Sequence, residues 1–400
     1  MTLANGREYL AIPGPSVMPD RVLRAMHRGA PNIYEGELVD MVPGIVTDLK
    51  RVARTDGHAA IYIGNGHAAW EAAISNVFSR GDRVLVASTG RFAIGWAQMA
   101  EAMGVEVHMV DFGRRGPIVP DRIEQELRAD TERTIKAVMC VQVDTSTSVR
   151  NDIQAVGAAV QASGHPAILM VDSIACLACD VMEMDDWGVD VVVTGSQKGL
   201  MTPPGLGFVF FNDRADALRE TADCLTHYWD WRPRIAPDPF PQYFDGTAPT
   251  HHLYGLRAAL DMIFEEGLER VWARHGALAR AIWAAFDTWG VEMNITDPAF
   301  RSHAVTTLRL GGTKGRDLRA FVEAHTGLTL GLGIGMDTAD DRASVGYFRV
   351  GHMGYVNAQM VMGALGSIEV GMRGTGIPFE TGGLSAAAEV MAAEIASMTG

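Results

Sequence analysis

The stretch VDVVVTGSQKGLMTPPGLGF, residues 189–208, reads as a hydrophobic strand that runs into a turn carrying a lysine. Residues 189–193 have the pattern of a buried strand, and the small residues after them present Lys198 before two prolines and two glycines direct the chain away. Lysine is rarely placed at the end of a core strand, because burying an ammonium group is costly. Its long apolar stem can also reach solvent, so this stretch alone leaves Lys198 either structural or functional.

Strand-like and helix-like segments alternate around this stretch, from about residue 55 to residue 212. Ten to fifteen residues of helical periodicity separate most of the strand-like runs. This alternation predicts an α/β fold with a mainly parallel seven-stranded sheet covered on both faces, and ligands of such sheets bind beyond the carboxyl ends of the strands. The seven runs are AAIYI, RVLVAS, VEVHMVD, KAVMCVQV, AILMVD, VDVVVTG and LGFVFF.

The rest of the chain predicts two further parts beside the sheet. Residues 251–290 read as a long helical region that Gly267 divides, and the strands and helices after it read as a smaller α+β domain. The prolines of IPGPSVMPD indicate a fixed path for a helix-and-loop segment at the start. We expect an N-terminal arm over residues 1–20, a large domain over 21–290 including the long linking helix, and a small C-terminal domain over 291–400.

Composition narrows the possible partners and the cellular compartment. The 34 basic and 48 acidic residues give a net charge of −14, which argues against nucleic-acid and anionic-membrane surfaces. The longest apolar runs are shorter than the about 18 residues that a membrane helix needs. With four cysteines and a start that does not read as a signal peptide, we expect a cytoplasmic protein.

Three groups with complementary chemistry fall at strand ends. Glycines around Gly66 follow one strand and open a helix, a geometry that suits an anion but also suits a tight packing turn. Asp172 ends a strand of nearly pure hydrocarbon, where it either meets a cation or caps the next helix. Together with the amine of Lys198, these groups match pyridoxal 5′-phosphate, which has a phosphate, a pyridine nitrogen and an aldehyde.

The motifs, taken in order, resemble class V aminotransferases of the fold-type-I pyridoxal-phosphate enzymes, in particular the alanine:glyoxylate and serine:glyoxylate aminotransferases. The resemblance covers nearly the whole chain. The motifs that carry it are GNGHAAWEA, DTSTSV, VDSIACL, TGSQKGLMTPPGLGFVFF, GTAPTHHLYGLRAAL and FRVGHMG.

The resemblance implies which residues hold the phosphate and the aldehyde. Lys198 is the expected Schiff-base lysine, and Gln197 is a phosphate ligand beside it. Asn65, Gly66 and His67 match the Ser-Gly-His phosphate turn of the family, with Asn in place of Ser.

The same resemblance assigns the residues around the pyridine ring. Phe92 matches the aromatic side chain that stacks on the ring, and Ile174 matches the aliphatic contact on the opposite face. Thr145 matches the hydroxyl residue near the phenolic oxygen, after Asp144 where many relatives carry Glu. Asp172 matches the carboxylate that keeps the ring nitrogen protonated, so Lys198 and Asp172 are the expected catalytic residues.

Two further matches concern the substrate and a second chain. Arg349 matches the arginine that grips the substrate α-carboxylate, for which a guanidinium fork is well suited. Thr247 matches a phosphate ligand that the family supplies from the neighbouring subunit, so the resemblance implies a homodimer with shared sites. Either Tyr243 or Phe244 is expected to accompany it.

The expected reaction moves an amino group from serine, alanine or aspartate to glyoxylate or another small 2-oxo acid by a ping-pong mechanism. Arg91 and His251 are candidates for meeting a side-chain carboxylate of the donor. FRVGHMG also resembles pyridoxamine:pyruvate aminotransferase, which takes the vitamin itself as substrate. A cysteine-dependent lyase is less favoured because no cysteine follows Cys224, and a metal or redox site at Cys176 and Cys179 lacks a second ligand pair. No metal is expected.

Overall fold

The structure is a computed structural model that describes residues 2–399. Met1 of the predicted arm and Gly400 of the predicted small domain lie outside the described residues. The helices are α1 Asp20–Met26, α2 Glu37–Ala53, α3 Gly66–Val77, α4 Arg91–Ala102, α5 Pro120–Ala129, α6 Ile153–Ser163, α7 Asp213–Leu218, α8 Arg232–Ile235, α9 Thr250–Glu266, α10 Leu268–Trp289, α11 Lys314–Thr326, α12 Ala358–Gly374 and α13 Gly383–Thr399.

The strands fall into a large sheet, a small sheet and a short hairpin. They are β1 Tyr9–Ala11, β2 His58–Gly64, β3 Arg83–Ser88, β4 Glu106–Asp111, β5 Ile135–Val141, β6 Val143–Asp144, β7 Val149–Arg150, β8 Ile168–Asp172, β9 Val191–Gly195, β10 Gly205–Phe211, β11 Glu292–Met293, β12 Val305–Arg309, β13 Leu328–Leu332 and β14 Tyr347–Gly351. Short 3-10 helices cover His227–Trp229, Phe240–Tyr243 and Pro298–Phe300.

The large sheet has seven strands in the order β2-β10-β9-β8-β5-β3-β4. All neighbours are parallel except β10, which runs antiparallel to both β2 and β9. The predicted α/β fold with a mainly parallel seven-stranded sheet is therefore confirmed. The seven strands are those that the sequence indicated, because strands covered on both faces must be hydrophobic at nearly every position.

Alternate residues of the central strands pack into different halves of the core. Leu169 and Val171 of β8 join a cluster with helices α2 and α9 on one face of the sheet. Met170 of β8 and Val193 of β9 join a second cluster with α3 and α4 on the other face. Because successive side chains of a strand point to opposite faces, this division places helices on both sides of the sheet.

The small sheet has five strands in the order β1-β13-β14-β12-β11, and its core is shared with α10, α11, α12 and α13. The sequence predicted only a helix-and-loop arm at the start, but β1 pairs in parallel with β13, with Tyr9 opposite Leu328. Three residues are too few for a strand period to be read from sequence. The domain boundaries at residues 20 and 290 stay a prediction.

The long helical region divides where the sequence indicated. Helix α9 ends at Glu266 and α10 begins at Leu268, and Gly267 between them has a φ of 93°, a conformation that favours glycine. Within residues 2–399, no helix has both the length and the apolar character needed to cross a membrane.

Candidate active site

A cavity of about 140 Å³ lies at the edge of the large sheet where its parallel strands end. Nine of the ten residues that the sequence assigned to a cofactor line it, together with three that it did not assign. The nine are Asn65, Gly66, His67, Phe92, Thr145, Asp172, Ile174, Gln197 and Lys198, and the other three are Trp70, Val143 and Ala175. Residues that the sequence separates by more than a hundred positions therefore meet at one place.

Lys198 follows the last residue of β9 in a turn that the N-terminal segment holds in place. The Ser16 amide donates to the Gln197 carbonyl at 2.8 Å, and the Ser16 hydroxyl donates to the Lys198 carbonyl at 2.7 Å. The Lys198 ammonium donates to the Pro13 carbonyl. A Cβ at Gly14, whose φ is +100°, would come 2.4 Å from Lys198 Nζ, so this segment forms the wall against which the lysine lies.

The surroundings of Lys198 favour its neutral amine. Burial lowers the pKa of Lys198 to about 8, and the positive charge of Arg349 adds to that effect. Asp172 acts in the opposite direction but more weakly. A larger fraction of Lys198 is therefore unprotonated near neutral pH than for an exposed lysine.

Asp172 is a buried carboxyl group at the end of β8. Its Oδ2 accepts from Trp70 Nε1 of α3 at 2.9 Å, and its Oδ1 accepts from the Ile174 amide at 2.6 Å. Burial raises the pKa of Asp172 to about 7, against the effect of those two hydrogen bonds. Within residues 2–399, no helix lies between β8 and β9, so the helix cap that the sequence left open does not form, and the bond to Ile174 orders the turn after β8. The bond from Trp70 instead fixes the carboxyl toward the cavity, where a cation would favour its charged form.

The turn from β2 into α3 has the features of an anion cradle. Asn65 Oδ1 accepts from the amides of His67 and Ala68 at 3.0 and 3.3 Å, so the Asn65 side chain caps the helix. A Cβ at Gly66 would come 2.4 Å from Ile174 Cδ1, so a larger residue there would displace the Ile174 side chain that lines the cavity. Gln197 Oε1 is buried without a hydrogen bond among the described residues. Because Asn65 Oδ1 takes the amides of His67 and Ala68, the Gly66 amide is the one left to face an anion at the start of α3.

Asp144 fixes the aromatic wall of the cavity. Its carboxylate accepts from the Phe92 amide at 2.8 Å and from the Ser146 amide at 2.9 Å, and burial raises its pKa. The Phe92 ring meets the Trp70 ring edge-on, with centroids 6.4 Å apart. Asp144 therefore positions Phe92 through the backbone.

Arg349 adjoins the cavity through Thr145. On β14 of the small sheet, its Nε donates to the Leu332 carbonyl at 2.7 Å, and its Nη1 donates to the Thr145 carbonyl of the large domain at 2.8 Å. Its Nη2 makes no hydrogen bond within residues 2–399. Burial lowers the pKa of Arg349 to about 10, so the guanidinium stays charged at neutral pH.

The structure leaves Thr247 outside this cavity, exposed in the segment before α9. Phe244 is fully buried in the core of its own chain, whereas Tyr243 is half-buried. Of the two aromatic candidates, only Tyr243 is therefore accessible to a neighbouring subunit. His251 bonds the Arg28 carbonyl at 3.0 Å, and Arg91 lies exposed at the start of α4 at the strand-end edge.

The cysteines have the surroundings of core residues. All four are free and buried, and burial raises the pKa of Cys179 to about 12 and that of Cys176 well above its ordinary value. Cys176 Sγ lies 3.2 Å from Gln142 Oε1. Within the described part of the chain, no group of three or more His, Cys, Asp or Glu residues could hold a metal ion.

Sequence reasoning did not assign Trp70 or the Pro13–Ser16 segment to the site. A tryptophan one helical turn after Gly66 was a usable signal, because residues three and four apart share a helix face. The contact of Ser16 with Lys198 spans 182 residues and has no local signature in the sequence.

Comparisons with known proteins agree with this geometry. The model of the family "Aminotransferase class-V" matches residues 9–356. A serine–glyoxylate aminotransferase of Methylorubrum extorquens is 35% identical over 96% of this chain and 95% of its own length. An L-aspartate–glyoxylate aminotransferase of Paracoccus denitrificans is 33% identical over 94% of each chain. The crystal structure of pyridoxamine-pyruvate aminotransferase from Mesorhizobium loti superposes with a TM-score of 0.89 at 26% identity, over 98% of this chain and 100% of that one.

Proposed function

The chain belongs to the class V aminotransferases and is itself an aminotransferase, and we propose that it uses pyridoxal 5′-phosphate to move an amino group from a small L-amino acid to glyoxylate or another small 2-oxo acid. The observation that carries this proposal is the meeting of Lys198, Asp172 and the Gly66 turn around one cavity. We propose Lys198 and Asp172 as its catalytic residues.

The residues of the cavity fit the three polar parts of this cofactor. The Gly66 amide and the side-chain amide nitrogen of Gln197 would donate to the phosphate, and the buried carboxyl of Asp172 suits a protonated ring nitrogen. Lys198 offers an amine that burial keeps partly neutral. Each polar part of the cofactor would therefore meet a group of complementary chemistry in the lining of the cavity.

The side walls suit a flat aromatic ring. Phe92, held by Asp144 through its amide, and Ile174, held by the Asp172 carboxylate, would contact the ring as an aromatic and an aliphatic wall. Thr145 would lie near the phenolic oxygen, and Asn65 and His67 complete the phosphate turn. When bound, pyridoxal phosphate supplies an aldehyde that captures amines and a protonated ring that withdraws electrons from Cα.

Lys198 is the group that would move protons in the proposed amino-transfer reaction. With the cofactor bound, Lys198 Nζ would take the proton from Cα of the donor as a neutral base and would deliver it, as an acid, to the former aldehyde carbon of the cofactor and not to Cα. The half-reaction with the 2-oxo acid would run through the same proton transfers in the opposite order, so one lysine would serve both half-reactions. Asp172 keeps the ring nitrogen charged, and the N-terminal segment over Gly14 limits the access of water to Nζ.

Arg349 is the proposed site for the α-carboxylate. It is anchored by Leu332 and Thr145, which leaves Nη2 to face an incoming carboxylate. The names of the relatives support serine or aspartate as donor and glyoxylate as acceptor, and alanine stays open. A second candidate, transfer from pyridoxamine to pyruvate, rests on the likeness to the Mesorhizobium loti enzyme.

Half-reactions of an Arg349→Lys variant test this assignment. The variant keeps the charge but loses the fork and both carbonyl anchors. We expect the reactions with serine, alanine or aspartate and with glyoxylate each to fall by about 10-fold to 100-fold, as for the loss of charge-assisted hydrogen bonds. Stopped-flow absorbance of the bound cofactor measures each half-reaction separately.

Three results of that measurement differ in meaning. Loss of both half-reactions, with cofactor still bound, supports an amino-acid donor held by Arg349. Loss of only the oxo-acid half, with pyridoxamine as an active donor, supports the second candidate, since pyridoxamine has no carboxylate. Unchanged rates with all donors contradict the role of Arg349. Arg373→Lys, which alters an exposed pair with Glu369 on α12, serves as the matched control.

We further propose a homodimer in which each site borrows Thr247 from the neighbouring subunit. Exposure of Thr247, outside the cavity of its own chain, supports this arrangement, as does the half-buried position of Tyr243 beside it. One hydroxyl bond to a charged phosphate contributes about 1–3 kcal/mol. Thr247→Ala should therefore weaken cofactor retention by roughly 5-fold to 150-fold.

Hybrid dimers reveal which chain supplies the hydroxyl. Thr247→Ala and Lys198→Ala chains with different affinity tags are mixed and the hybrids isolated. If sites are shared, a hybrid has one intact site, with Lys198 from one chain and Thr247 from the other, and that site retains cofactor as tightly as a wild-type site, whereas the other site lacks both residues. Hybrids that retain cofactor as weakly as the Thr247→Ala protein would show that each site lies within one chain.

A further inference from the structure

The turn that carries Lys198 rests on a second turn, Gly354, which follows β14. A Cβ at Gly354, whose φ is +79°, would come 2.9 Å from the Lys198 carbonyl and 3.2 Å from Met201 Cγ. The glycine thus allows two backbones to approach closely. Any displacement of Gly354 is therefore passed directly to the backbone of the lysine.

The His275 side chain of α10 is hydrogen-bonded to the backbone of Gly354. This fully buried side chain accepts from the Gly354 amide at Nε2, at 3.0 Å, and donates from Nδ1 to the Val271 carbonyl at 2.7 Å. An amide can only donate and a carbonyl can only accept, so the two partners fix one neutral tautomer of the ring. A protonated ring would set Nε2–H against the Gly354 N–H.

The charge state of His275 agrees with that bonding. Burial, followed by the charge of Arg274, lowers the pKa of His275 to about 3. His352 also disfavours the charged form, and only Asp180 and the Val271 carbonyl favour it. His275 therefore stays a neutral acceptor over the whole pH range in which an aminotransferase works.

Arg274, the neighbour of His275, holds the chain that follows Gly354. Its Nη1 donates to the Val356 carbonyl at 2.8 Å, and its Nε and Nη2 form a fork with the Glu266 carboxylate at 2.6 and 3.0 Å. Glu266 ends α9 and Arg274 lies in α10, so the pair also braces the helix break at Gly267. Two adjacent residues of α10 thus fix one turn.

The lysine turn has room to move if this support is lost. A cavity of about 150 Å³ lies between the two turns and is lined by residues of both, including Gly199, Met201, His275 and Gly354. Packed protein interiors resist displacement because few such voids exist. Here, a cleft that is partly open to solvent adjoins the lysine turn directly.

We propose that His275 is a positioning residue for Lys198, which acts through the Gly354 amide to hold the lysine turn at the edge of the active-site cavity. The inference rests on the proposed function in that Lys198 is taken as the reactive amine. Catalytic groups must be held within about 0.5 Å of their productive position, so small displacements of this turn affect turnover.

A pair of amide variants separates this role from general stability. The side-chain oxygen of His275→Gln can take the position of Nε2 and accept from Gly354. The shorter His275→Asn can reach only the position of Nδ1, near Val271. The readout is the rate at which the full chain captures added pyridoxal 5′-phosphate as a function of pH, followed by absorbance. Neutral amines react, so the rate rises with pH through the pKa of Lys198.

We expect wild type and His275→Gln to show a midpoint near 8. In His275→Asn, water enters as the turn loosens, so the midpoint rises by about one unit and capture at pH 7 slows about tenfold. Its kcat should fall about 10-fold to 100-fold with little change in KM, since the donor-binding Arg349 is untouched. Titration of pyridoxal phosphate itself is common to all variants and cancels in the comparison.

The outcomes separate the inference from the proposed function. A wild type that captures no pyridoxal phosphate after any bound cofactor has been removed overturns the proposed function. A wild type that captures it, with a folded His275→Asn variant at the wild-type midpoint, overturns the inference alone, and so does a His275→Gln variant as impaired as His275→Asn. If His275→Asn does not fold, Arg274→Gln, which releases Val356, must raise the midpoint, and an unchanged midpoint there overturns the inference.

Discussion

A Lys198→Ala variant should lose turnover by roughly 10⁴-fold or more, because nucleophile and general base are removed together. The fold should persist, because burying the Lys198 amine is unfavourable and the variant has no amine to bury. The variant should also lose the yellow colour that comes from covalent attachment of pyridoxal phosphate. Steady-state rates and absorbance spectra of purified protein measure both effects.

Lys136→Ala is the matched control for this variant. Lys136 is also a largely buried lysine at a strand of the large sheet, but it pairs with Asp82 at 2.6 Å and lies away from the cavity. We expect Lys136→Ala to retain colour and turnover. Substantial turnover by Lys198→Ala would remove the lysine from the mechanism.

The second large effect is expected for Asp172→Ala, with turnover reduced about 10²-fold to 10³-fold. Without the carboxylate, the ring nitrogen of the cofactor loses the charge partner that keeps it protonated and electron-withdrawing. Some cofactor should still bind, because the phosphate cradle and Lys198 remain. Trp70 Nε1, which donates to Asp172, is left without that acceptor, so thermal stability should also fall.

Asp190→Ala distinguishes this catalytic loss from the loss of a buried acid. Asp190 is also buried, and it lies just before β9 begins, at the opposite edge of the sheet. Its carboxylate accepts from the Leu169 amide and pairs with Arg214. We expect its variant to be less stable but near normal in turnover below its unfolding temperature. Near-normal turnover in Asp172→Ala would reduce Asp172 to a buried acid that orders the turn after β8.

The large sheet was predictable because its strands lie between two layers of helices. Such strands must be hydrophobic at nearly every position, so β8 and β9 are visible as short apolar runs. Parallel strands also bring their carboxyl ends to one edge. The polar residues that end those runs, Asp172 and Lys198, could therefore be placed together from sequence alone.

The supporting contacts could not be predicted, because they join distant segments without a local pattern. Ser16 meets Lys198 across 182 residues, and the Gly354 amide meets His275 across 79. Strand β1 has three residues and is defined only by its pairing with β13. The sequence indicated the reactive groups, whereas the contacts that orient them appear only in the folded chain.

Chemical trapping of the cofactor identifies the amine to which pyridoxal phosphate attaches. Borohydride reduces the bond between pyridoxal phosphate and its amine and so makes the attachment permanent, after which peptide mass spectrometry locates it. The chain has four lysines, Lys50, Lys136, Lys198 and Lys314, so the assignment is unambiguous. We predict label on Lys198, one per chain. Label on another lysine, or none after incubation with pyridoxal phosphate, would contradict it.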